Sequence, residues 1–385
     1  MTAINHQQST PVAKALIQGL LCALLSLTLV SGLYAETPSE ELEDQQLREL
    51  IERHGLREHS IATRDIKGWA KPKRILVLTD TDERLAWMQK AVPDVELVKF
   101  EKLEEAVAQI DTFQAVIGAC HPDLVAPNIF WIQHYSAGIE RCAAIPGVKE
   151  YVGVLTNNQK LQGPQIADHA IALMMALVRN LDVYARAENW QRDLGPDADE
   201  IWDIEGRTLL VVGLGGIGTD IARIGHGLGM KVIATRNSSR TGPDFVSYVG
   251  LADELLELAK QADVAINATP LTPSTTGIFN EAFFNALPNH AYFVTVGRGG
   301  SAVTDDLVAA LENGEIAGAG LDVMDPEPLP DGHPLWTMPR VIITPHMAGA
   351  SDKRDGKVAL LVKENIRRYV AGEPLFSVVD IDRGY

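Results

Sequence analysis

Residues 209–218 read LLVVGLGGIG, an apolar run typical of a β-strand that ends in a glycine-rich turn. Gly213, Gly215 and Gly218 have the G-x-G-x-x-G spacing found where a backbone turn binds a dinucleotide. The first glycine allows the tight turn, the second lets backbone N–H groups approach a pyrophosphate, and the third lets a helix pack closely on the strand. The stretch therefore predicts a dinucleotide site at the N-terminus of a helix over residues 216–228.

Strand and helix patterns alternate on both sides of this turn. Before it, strands are expected at residues 74–79, 96–100, 115–119, 130–134 and 151–156. After it, they are expected at residues 231–235, 264–268, 291–296 and 317–323. Helices are expected at residues 83–91, at 103–110, from about Pro164, and at 304–313 with Thr304 as the cap. The alternation predicts an α/β fold with two Rossmann-like parallel-sheet domains and the active site in the cleft between them.

The composition is that of a soluble enzyme with two domains. The chain has 385 residues, 46% hydrophobic and 22% charged, which is enough to bury two sizeable cores. Its formal net charge of −17 argues against a nucleic-acid partner or an anionic membrane surface, because such surfaces need clustered lysine and arginine.

The three cysteines have no metal-ligand spacing, and no metal site is expected. Cys22 lies in an apolar leader, so at most one disulfide, between Cys120 and Cys142, can form in the body of the chain. The sequence favours the interpretation of these two residues as buried or inert thiols.

The first 35 residues have the pattern of an export signal. Lys14 precedes an apolar stretch over residues 15–30, and Leu33-Tyr34-Ala35 offers a cleavage site despite the large residue at Leu33. Because the stretch is short for a membrane span, we expect a cleaved signal peptide over residues 1–35, with an uncleaved membrane anchor as the alternative. We accordingly expect a periplasmic or membrane-anchored protein, attached through this segment alone, while a cytoplasmic chain stays open.

Residues 36–71 are expected to form a helical extension ahead of the first domain. Thr37, Pro38 and Glu40 make a capping box with proline at the first helical position, and an apolar stripe follows that ends near Gly55. One helix that docks on the body of the protein is the prediction.

Three polar residues follow predicted strands of the second α/β unit: Arg298 in VGRGG, Glu327 in DPEPLP and His346 in ITPHMAG. An arginine can bind a carboxylate bidentately, and a histidine hydrogen-bonded to a carboxylate has its protonated form favoured. Each residue alone is equally well explained by a glycine turn, a solvated loop or a cap. Together they predict a site that binds an anion and moves a proton, as the reduction of a carbonyl group requires.

These motifs make the sequence recognisable: it resembles the D-isomer-specific 2-hydroxyacid dehydrogenase family over roughly residues 73–384. Asp168 replaces the more frequent glutamate of that family, which leaves the chemistry undisturbed. The resemblance implies a discontinuous substrate domain, residues 72–178 and 348–385, and a dinucleotide-binding domain, residues 179–347. It rests on the ordered motifs WIQHYSAGIE, LTNNQKLQGPQIADHAIALMMALVR, VVGLGGIG, ATPLTPSTTGIFN, VTVGRGGSAV, AGAGLDVMDPEPLP, HPLW and VIITPHMAGAS.

The resemblance also implies an activity and a role for each polar residue. A small 2-oxo acid and its D-2-hydroxy acid are interconverted by hydride transfer, with glyoxylate and hydroxypyruvate as the first substrates to assay. Arg298 binds the substrate carboxylate, and Glu327 orients His346, the acid–base residue. A homodimer is implied as well. The substrate-binding turn is implied to contain Ala137, Gly138 and Ile139. The cofactor site is implied to contain Gly213, Gly215, Gly216, Ile217, Gly218, Thr269, Val296, Gly297, Arg298 and Asp322.

The choice of nucleotide is predicted from the residues at the end of the strand expected at 231–235 and just beyond it. An NAD site normally has Asp or Glu there, which binds the ribose 2′-OH, but residues 231–242 read KVIATRNSSRTG. Two guanidinium groups with neighbouring polar side chains can bind a 2′-phosphate, so NADP is expected to be preferred, with NAD possible. The residues that would form this phosphate site are Arg236, Asn237, Ser238 and Arg240.

Two alternatives from other functional classes stay open. One is a nucleotide-sensing protein of the corepressor kind, which the intact set of Arg298, Glu327 and His346 disfavours. The other is an exported cofactor-binding protein without turnover, because reduced nicotinamide nucleotides are expected inside the cell while the leader indicates export.

Overall fold

The computed structural model describes residues 40–78, 81–190, 201–237 and 239–381. The chain divides into two compact units, residues 1–49 and 50–385. Of the first unit the structure describes residues 40–49, which belong to helix α1 (Glu40–His54). The sheets and the candidate site all lie in the second unit.

Two fully parallel sheets form the body of the second unit, which confirms the expected α/β fold class. The first sheet has the order β2-β1-β3-β4-β5 and the second has the order β12-β11-β10-β9-β6-β7-β8. The first comprises β1 (Arg74–Val77), β2 (Glu96–Val98), β3 (Ala115–Gly118), β4 (Trp131–His134) and β5 (Val154–Thr156). The second comprises β6 (Thr208–Val212), β7 (Lys231–Thr235), β8 (Tyr248–Gly250), β9 (Val264–Asn267), β10 (Tyr292–Thr295), β11 (Gly318–Leu321) and β12 (Val341–Ile343).

Helices form many of the crossover connections between the parallel strands. Around the first sheet they are α2 (Asp82–Gln89), α3 (Leu103–Val107), α4 (Glu140–Ala143) and α5 (Val148–Tyr151). The two sheets are joined through α6 (Gly163–Val178) and α7 (Leu181–Tyr184). Around and after the second sheet they are α8 (Gly216–Gly227), α9 (Leu255–Ala259), α10 (Glu281–Ala286), α11 (Thr304–Glu312) and α12 (Arg354–Ala371).

Most strands are one or two residues shorter than the sequence pattern indicates. The expected cap at Thr304 is wrong: Val303 is the N-cap residue of α11, and the Thr304 hydroxyl donates instead to the backbone carbonyl of Asp325. A tertiary contact thus outweighs the local capping preference of threonine.

Helix α6 packs its apolar face on the second sheet. Leu173 and Leu177 are buried there against β11, and a Cβ at Gly320 would lie only 3.0 Å from the Cβ of Leu173. Glycine at this position of β11 therefore lets the helix approach the strand closely. The apolar residues on this face of α6 are therefore part of the core.

The C-terminal helix α12 completes the core of the first sheet. Tyr369 packs against Trp131 of β4 with ring centroids 4.8 Å apart and ring planes inclined by 43°. The buried Asn365 amide donates to Gln133 Oε1 at 3.0 Å and to the Phe376 carbonyl at 3.1 Å, and its Oδ1 accepts from the Phe376 N–H at 2.9 Å. One amide side chain thus joins the helix, the sheet and the chain segment that follows the helix.

Residues between α1 and β1 pack on the end of α12. Arg64 Nε donates to the Gly372 carbonyl at 2.9 Å, and Trp69 Nε1 donates to the Tyr369 carbonyl at 3.3 Å. The expected signal segment and the residues Thr37 and Pro38 of the capping box lie outside the described residues. Across the part of the chain that is described, no helix has both the length and the apolar character that crossing a bilayer requires.

The interpretation of Cys120 and Cys142 as inert thiols is wrong, because their Sγ atoms form a disulfide. Cys120 follows β3, and Cys142 lies in α4 after β4. Since β3 and β4 are parallel neighbours, their carboxyl ends lie at the same sheet edge. The two Cα atoms are therefore 5.3 Å apart although the cysteines are 22 positions apart in the sequence.

We predict that Asn365→Leu destabilises the fold. The substitution keeps the side-chain volume but leaves the buried Phe376 N–H without its acceptor and removes one of the two donors to Gln133 Oε1, which costs about 2 kcal/mol. The melting temperature measured by calorimetry should fall by several degrees. Asp355→Asn, an exposed change on the same helix, is the control, and an Asn365→Leu protein as stable as this control would contradict the assignment.

Candidate active site

The glycine turn has the geometry that its sequence predicts. Gly213 has φ +97°, and a Cβ there would lie 2.9 Å from the Ala268 carbonyl oxygen. A Cβ at Gly218 would overlap the Gly213 carbonyl, whereas a Cβ at Gly215 would meet nothing within 4 Å. The turn is therefore packed against the fold at two glycines and open at the middle one, ahead of α8. These residues fit a nucleotide pyrophosphate at the N-terminus of the helix.

A buried amide that sequence reasoning missed organises the loops after β9 and β10. Asn267 Oδ1 accepts hydrogen bonds from Thr269 N at 2.9 Å and Thr269 Oγ1 at 2.7 Å. Its Nδ2 donates to Thr295 Oγ1 at 3.0 Å and to Ser301 Oγ at 2.7 Å, and Ser301 in turn donates to the Arg298 carbonyl at 2.6 Å. The network thus connects Thr269, a predicted cofactor residue, with the backbone of Arg298.

The Arg298 guanidinium connects the loop after β10 of the second sheet with the start of α4, which follows β4 of the first sheet. Its Nε lies 3.0 Å from Glu140 Oε1, and its Nη1 donates to the Gly297 carbonyl at 2.8 Å. A Cβ at Gly138 would overlap Arg298 Nη2, so glycine is required where the guanidinium lies against the predicted substrate-binding turn. The structure therefore brings Arg298 and Gly138 together, the two residues that the family resemblance assigns to the substrate carboxylate.

Two buried asparagines bind the backbone carbonyls in and just before this turn. Asn157 Nδ2 donates to the Ala137 carbonyl at 2.6 Å, and Asn158 Nδ2 donates to the Tyr135 carbonyl at 2.8 Å. Ile139, which follows, is 1% exposed. The asparagines belong to the motif LTNNQ, but their spacing alone gave no sign of a role, because the contact depends on the neighbouring ends of β4 and β5.

His346 and Glu327 form a hydrogen-bonded pair. His346 Nδ1 lies 2.7 Å from Glu327 Oε1, and both side chains are partly exposed. His346 has φ +54°, a conformation that a residue with a Cβ adopts only where its surroundings hold it. With Nδ1 engaged, the imidazole presents Nε2, which has no partner among the described residues, for acid–base chemistry.

Asp322 holds the loop that carries His346. The carboxylate is 1% exposed and accepts from Thr344 Oγ1 at 2.6 Å, Met347 N at 2.8 Å and Ala348 N at 3.0 Å. The His346 N–H donates to the Asp322 carbonyl at 2.9 Å. Asp322 is thus found beside the predicted cofactor site, but its side chain is committed to this loop.

Comparison with known proteins agrees with the geometry. Residues 171–348 match the family model described as the NAD binding domain of D-isomer specific 2-hydroxyacid dehydrogenases. The glyoxylate reductase of Korarchaeum cryptofilum is 31% identical over 291 residues, 74% of this chain and 86% of that protein. The glyoxylate/hydroxypyruvate reductase A of a Klebsiella pneumoniae strain is 34% identical over 226 residues, 58% of this chain and 70% of that protein.

The chain belongs to the D-isomer-specific 2-hydroxyacid dehydrogenase family. It is an NAD(P)-dependent oxidoreductase of 2-hydroxy acids. Among solved structures, it is similar to an NADPH-dependent glyoxylate/hydroxypyruvate reductase from Sinorhizobium meliloti in complex with NADP and sulfate. The TM-score is 0.66 and the identity 28%, with 81% of this chain and all of that chain covered.

The predicted phosphate-binding loop of the dehydrogenase follows β7. Arg236 Nη1 donates to the Thr241 carbonyl at 3.1 Å. Arg240 Nη1 lies 2.7 Å from Glu254 Oε1 and donates to the Tyr248 hydroxyl at 3.0 Å. The hydrogen bond from Arg240 to Glu254 is the main reason that the pKa of Glu254 falls to about 2. Ser238 lies outside the described residues. Arg236 is therefore the candidate whose guanidinium carries no carboxylate partner among the described residues.

We predict that Gly138→Ala disables the dehydrogenase while leaving it folded. The added Cβ would displace the Arg298 guanidinium, and a misplacement of about 1 Å in a binding group costs roughly a hundredfold in rate. Steady-state kcat/KM for a small 2-oxo acid should fall by about that factor. Gly356→Ala in α12, where a Cβ meets nothing within 4 Å, is the matched control. Full activity of Gly138→Ala would refute the placement of Arg298.

Proposed function

We propose that the dehydrogenase interconverts a small 2-oxo acid and its D-2-hydroxy acid by hydride transfer. The observation that carries this proposal is the 2.7 Å pair of His346 and Glu327. It follows strands of the same sheet as Arg298, whose guanidinium lies against Gly138 of the predicted substrate-binding turn. An anion-binding group and an oriented proton donor are the two parts that reduction of a 2-oxo acid needs from the protein.

Arg298 binds the substrate carboxylate in this proposal. A guanidinium matches a carboxylate in geometry and charge, and the backbone N–H groups of Gly138 and Ile139 supply further donors at the turn beside it. The Asn267 network and the asparagines behind the turn keep these groups in place. The carboxylate is thereby oriented before the reaction, which lowers the entropic cost of reaching the transition state.

His346 transfers the proton. Its Nε2 donates to the carbonyl oxygen of the 2-oxo acid as the hydride arrives at the carbonyl carbon, and it accepts the proton back in the reverse direction. Glu327 fixes the orientation of the ring through Nδ1 and stabilises the imidazolium form. The nicotinamide nucleotide supplies or accepts the hydride when bound.

We propose glyoxylate and hydroxypyruvate as substrates. The relatives from Korarchaeum cryptofilum and Klebsiella pneumoniae are named as reductases of these compounds, which supports the choice. Both substrates are small 2-oxo acids, so both offer the carboxylate and carbonyl that Arg298 and His346 would contact.

We propose NADP as the preferred nucleotide. The loop after β7 has Arg236 where an NAD site has an acidic residue, and the Sinorhizobium meliloti structure contains NADP. A structure from Xanthobacter autotrophicus, 27% identical with a TM-score of 0.69, contains NADPH. The glycine turn, Thr269, Val296 and Gly297 follow β6, β9 and β10, which are neighbours in the second sheet, and this placement supports a site for the rest of the nucleotide.

We propose that the protein works outside the cytoplasm as a homodimer. The leader pattern over residues 1–35 and the disulfide between Cys120 and Cys142 both support an oxidising compartment. The dimer rests on the family resemblance.

Removal of either reacting group should abolish most of the activity. Arg298→Ala and His346→Ala are each expected to lower turnover of glyoxylate by a hundredfold or more, because each loses a contact made in the transition state, and general acid catalysis alone contributes about 10²–10⁴-fold. His290→Ala is the control, since His290 precedes β10 at the opposite end of the sheet. If either variant kept wild-type turnover with every active substrate, the role proposed for the replaced residue would be wrong.

Replacing Arg236 with aspartate should reverse the nucleotide preference. The carboxylate would repel a 2′-phosphate and bind a ribose 2′-OH, so kcat/KM should fall with NADPH and rise with NADH. Lys260→Asp, which makes the same change of charge on the exposed residue after α9, should leave the preference unchanged. Equal or better kcat/KM with NADH in the unmodified enzyme would contradict the proposal.

A further inference from the structure

Glu140 is a charged residue at the site to which neither the motif analysis nor the reaction assigns a role. It is the first residue of α4, directly after the predicted substrate-binding turn, and its Oε1 lies 3.0 Å from Arg298 Nε. Both side chains are about two-thirds buried, at 30% and 29% exposure. The ion pair therefore joins a loop of the first sheet to a loop of the second.

The pair uses the side of the guanidinium that suits a carboxylate best. Arg298 Nη1 is committed to the Gly297 carbonyl at 2.8 Å, which leaves Nε and Nη2 as the edge for bidentate binding. A Cβ at Gly138 would overlap Nη2 and would lie 2.6 Å from Glu140 Oε2. Glu140 thus occupies this edge through the single Nε–Oε1 hydrogen bond, at the turn whose N–H groups face the substrate carboxylate in the proposed function.

We propose that Glu140 is a specificity-determining residue that competes with the substrate carboxylate for Arg298. The proposal rests on the proposed function, in which Arg298 binds that carboxylate. Substrate binding is then an exchange, in which the 2-oxo acid takes the Nε–Nη2 edge and the Glu140 side chain leaves it. An anion that cannot make two parallel hydrogen bonds does not displace Glu140, so the exchange selects planar carboxylates.

A purely positioning role for Glu140 makes the opposite prediction. If Glu140 only held Arg298 in place, weakening the pair would loosen the guanidinium and raise KM. If Glu140 competes, weakening the pair frees donors for the substrate and lowers KM. The sign of the change in KM separates the two roles, and neither role alters the acid–base step at His346.

The test is Glu140→Gln in the full-length enzyme. A neutral amide binds a guanidinium more weakly than a carboxylate does, so KM for glyoxylate and the inhibition constant of oxamate, an unreactive 2-oxo acid analogue, should each fall about fivefold. The value of kcat should stay within about twofold, because the transition-state contacts are unchanged. Glu150→Gln, an exposed change of the same charge in α5, should leave both constants unaltered.

An unchanged or raised KM in Glu140→Gln would overturn the proposal. Thermal unfolding checks that the variant is folded, and if it is not, Glu140→Ala carries the same expectation of a lowered KM and oxamate constant. Arg298→Ala is assayed in parallel. If Arg298→Ala loses activity and Glu140→Gln has an unchanged KM, competition is rejected and the proposed function stays intact. If Arg298→Ala is active with an unaltered KM, the proposed function itself is rejected.

Discussion

The buried carboxylate of Asp322 is the interaction on which the active site depends. A carboxylate removed from water is costly unless hydrogen bonds replace the lost hydration, and this one accepts them from the Thr344 hydroxyl and from two backbone N–H groups, those of Met347 and Ala348. His169 Nε2 lies 3.5 Å from the same carboxylate and 2.9 Å from Thr344 Oγ1. Helix α6, strand β11 and the loop after β12 are thus connected through one buried group.

This network explains how His346 can keep a left-handed backbone conformation. Its N–H is bound by the Asp322 carbonyl, and the two residues after it are bound by the Asp322 carboxylate, so the strained residue is held from both sides. The imidazole then extends towards Glu327. The exchange proposed at Arg298 is the counterpart in the other half of the site, where an ion pair between Glu140 and Arg298 sets how readily an incoming carboxylate is bound.

The parts of the fold that follow local rules could be predicted from the sequence. The glycine turn was predictable because each glycine answers a steric demand, and β7 was predicted with its bounds of Lys231–Thr235 because an apolar run ends at a polar loop. The disulfide, the Asn267 network and the Asp322 network could not be predicted. Each depends on which strands are neighbours, and strand order is a tertiary property that residue spacing does not contain. Thr304 failed as a cap for the same reason, since its hydroxyl is bound by the distant Asp325 carbonyl.

A structure of the enzyme with NADP and oxamate would test the account most directly. We expect the oxamate carboxylate on the Arg298 guanidinium and on the N–H groups of Gly138 and Ile139, with its amide carbonyl oxygen within hydrogen-bond distance of His346 Nε2. Oxamate bound away from Arg298, or a His346 ring that points Nε2 away from the carbonyl oxygen, would contradict it.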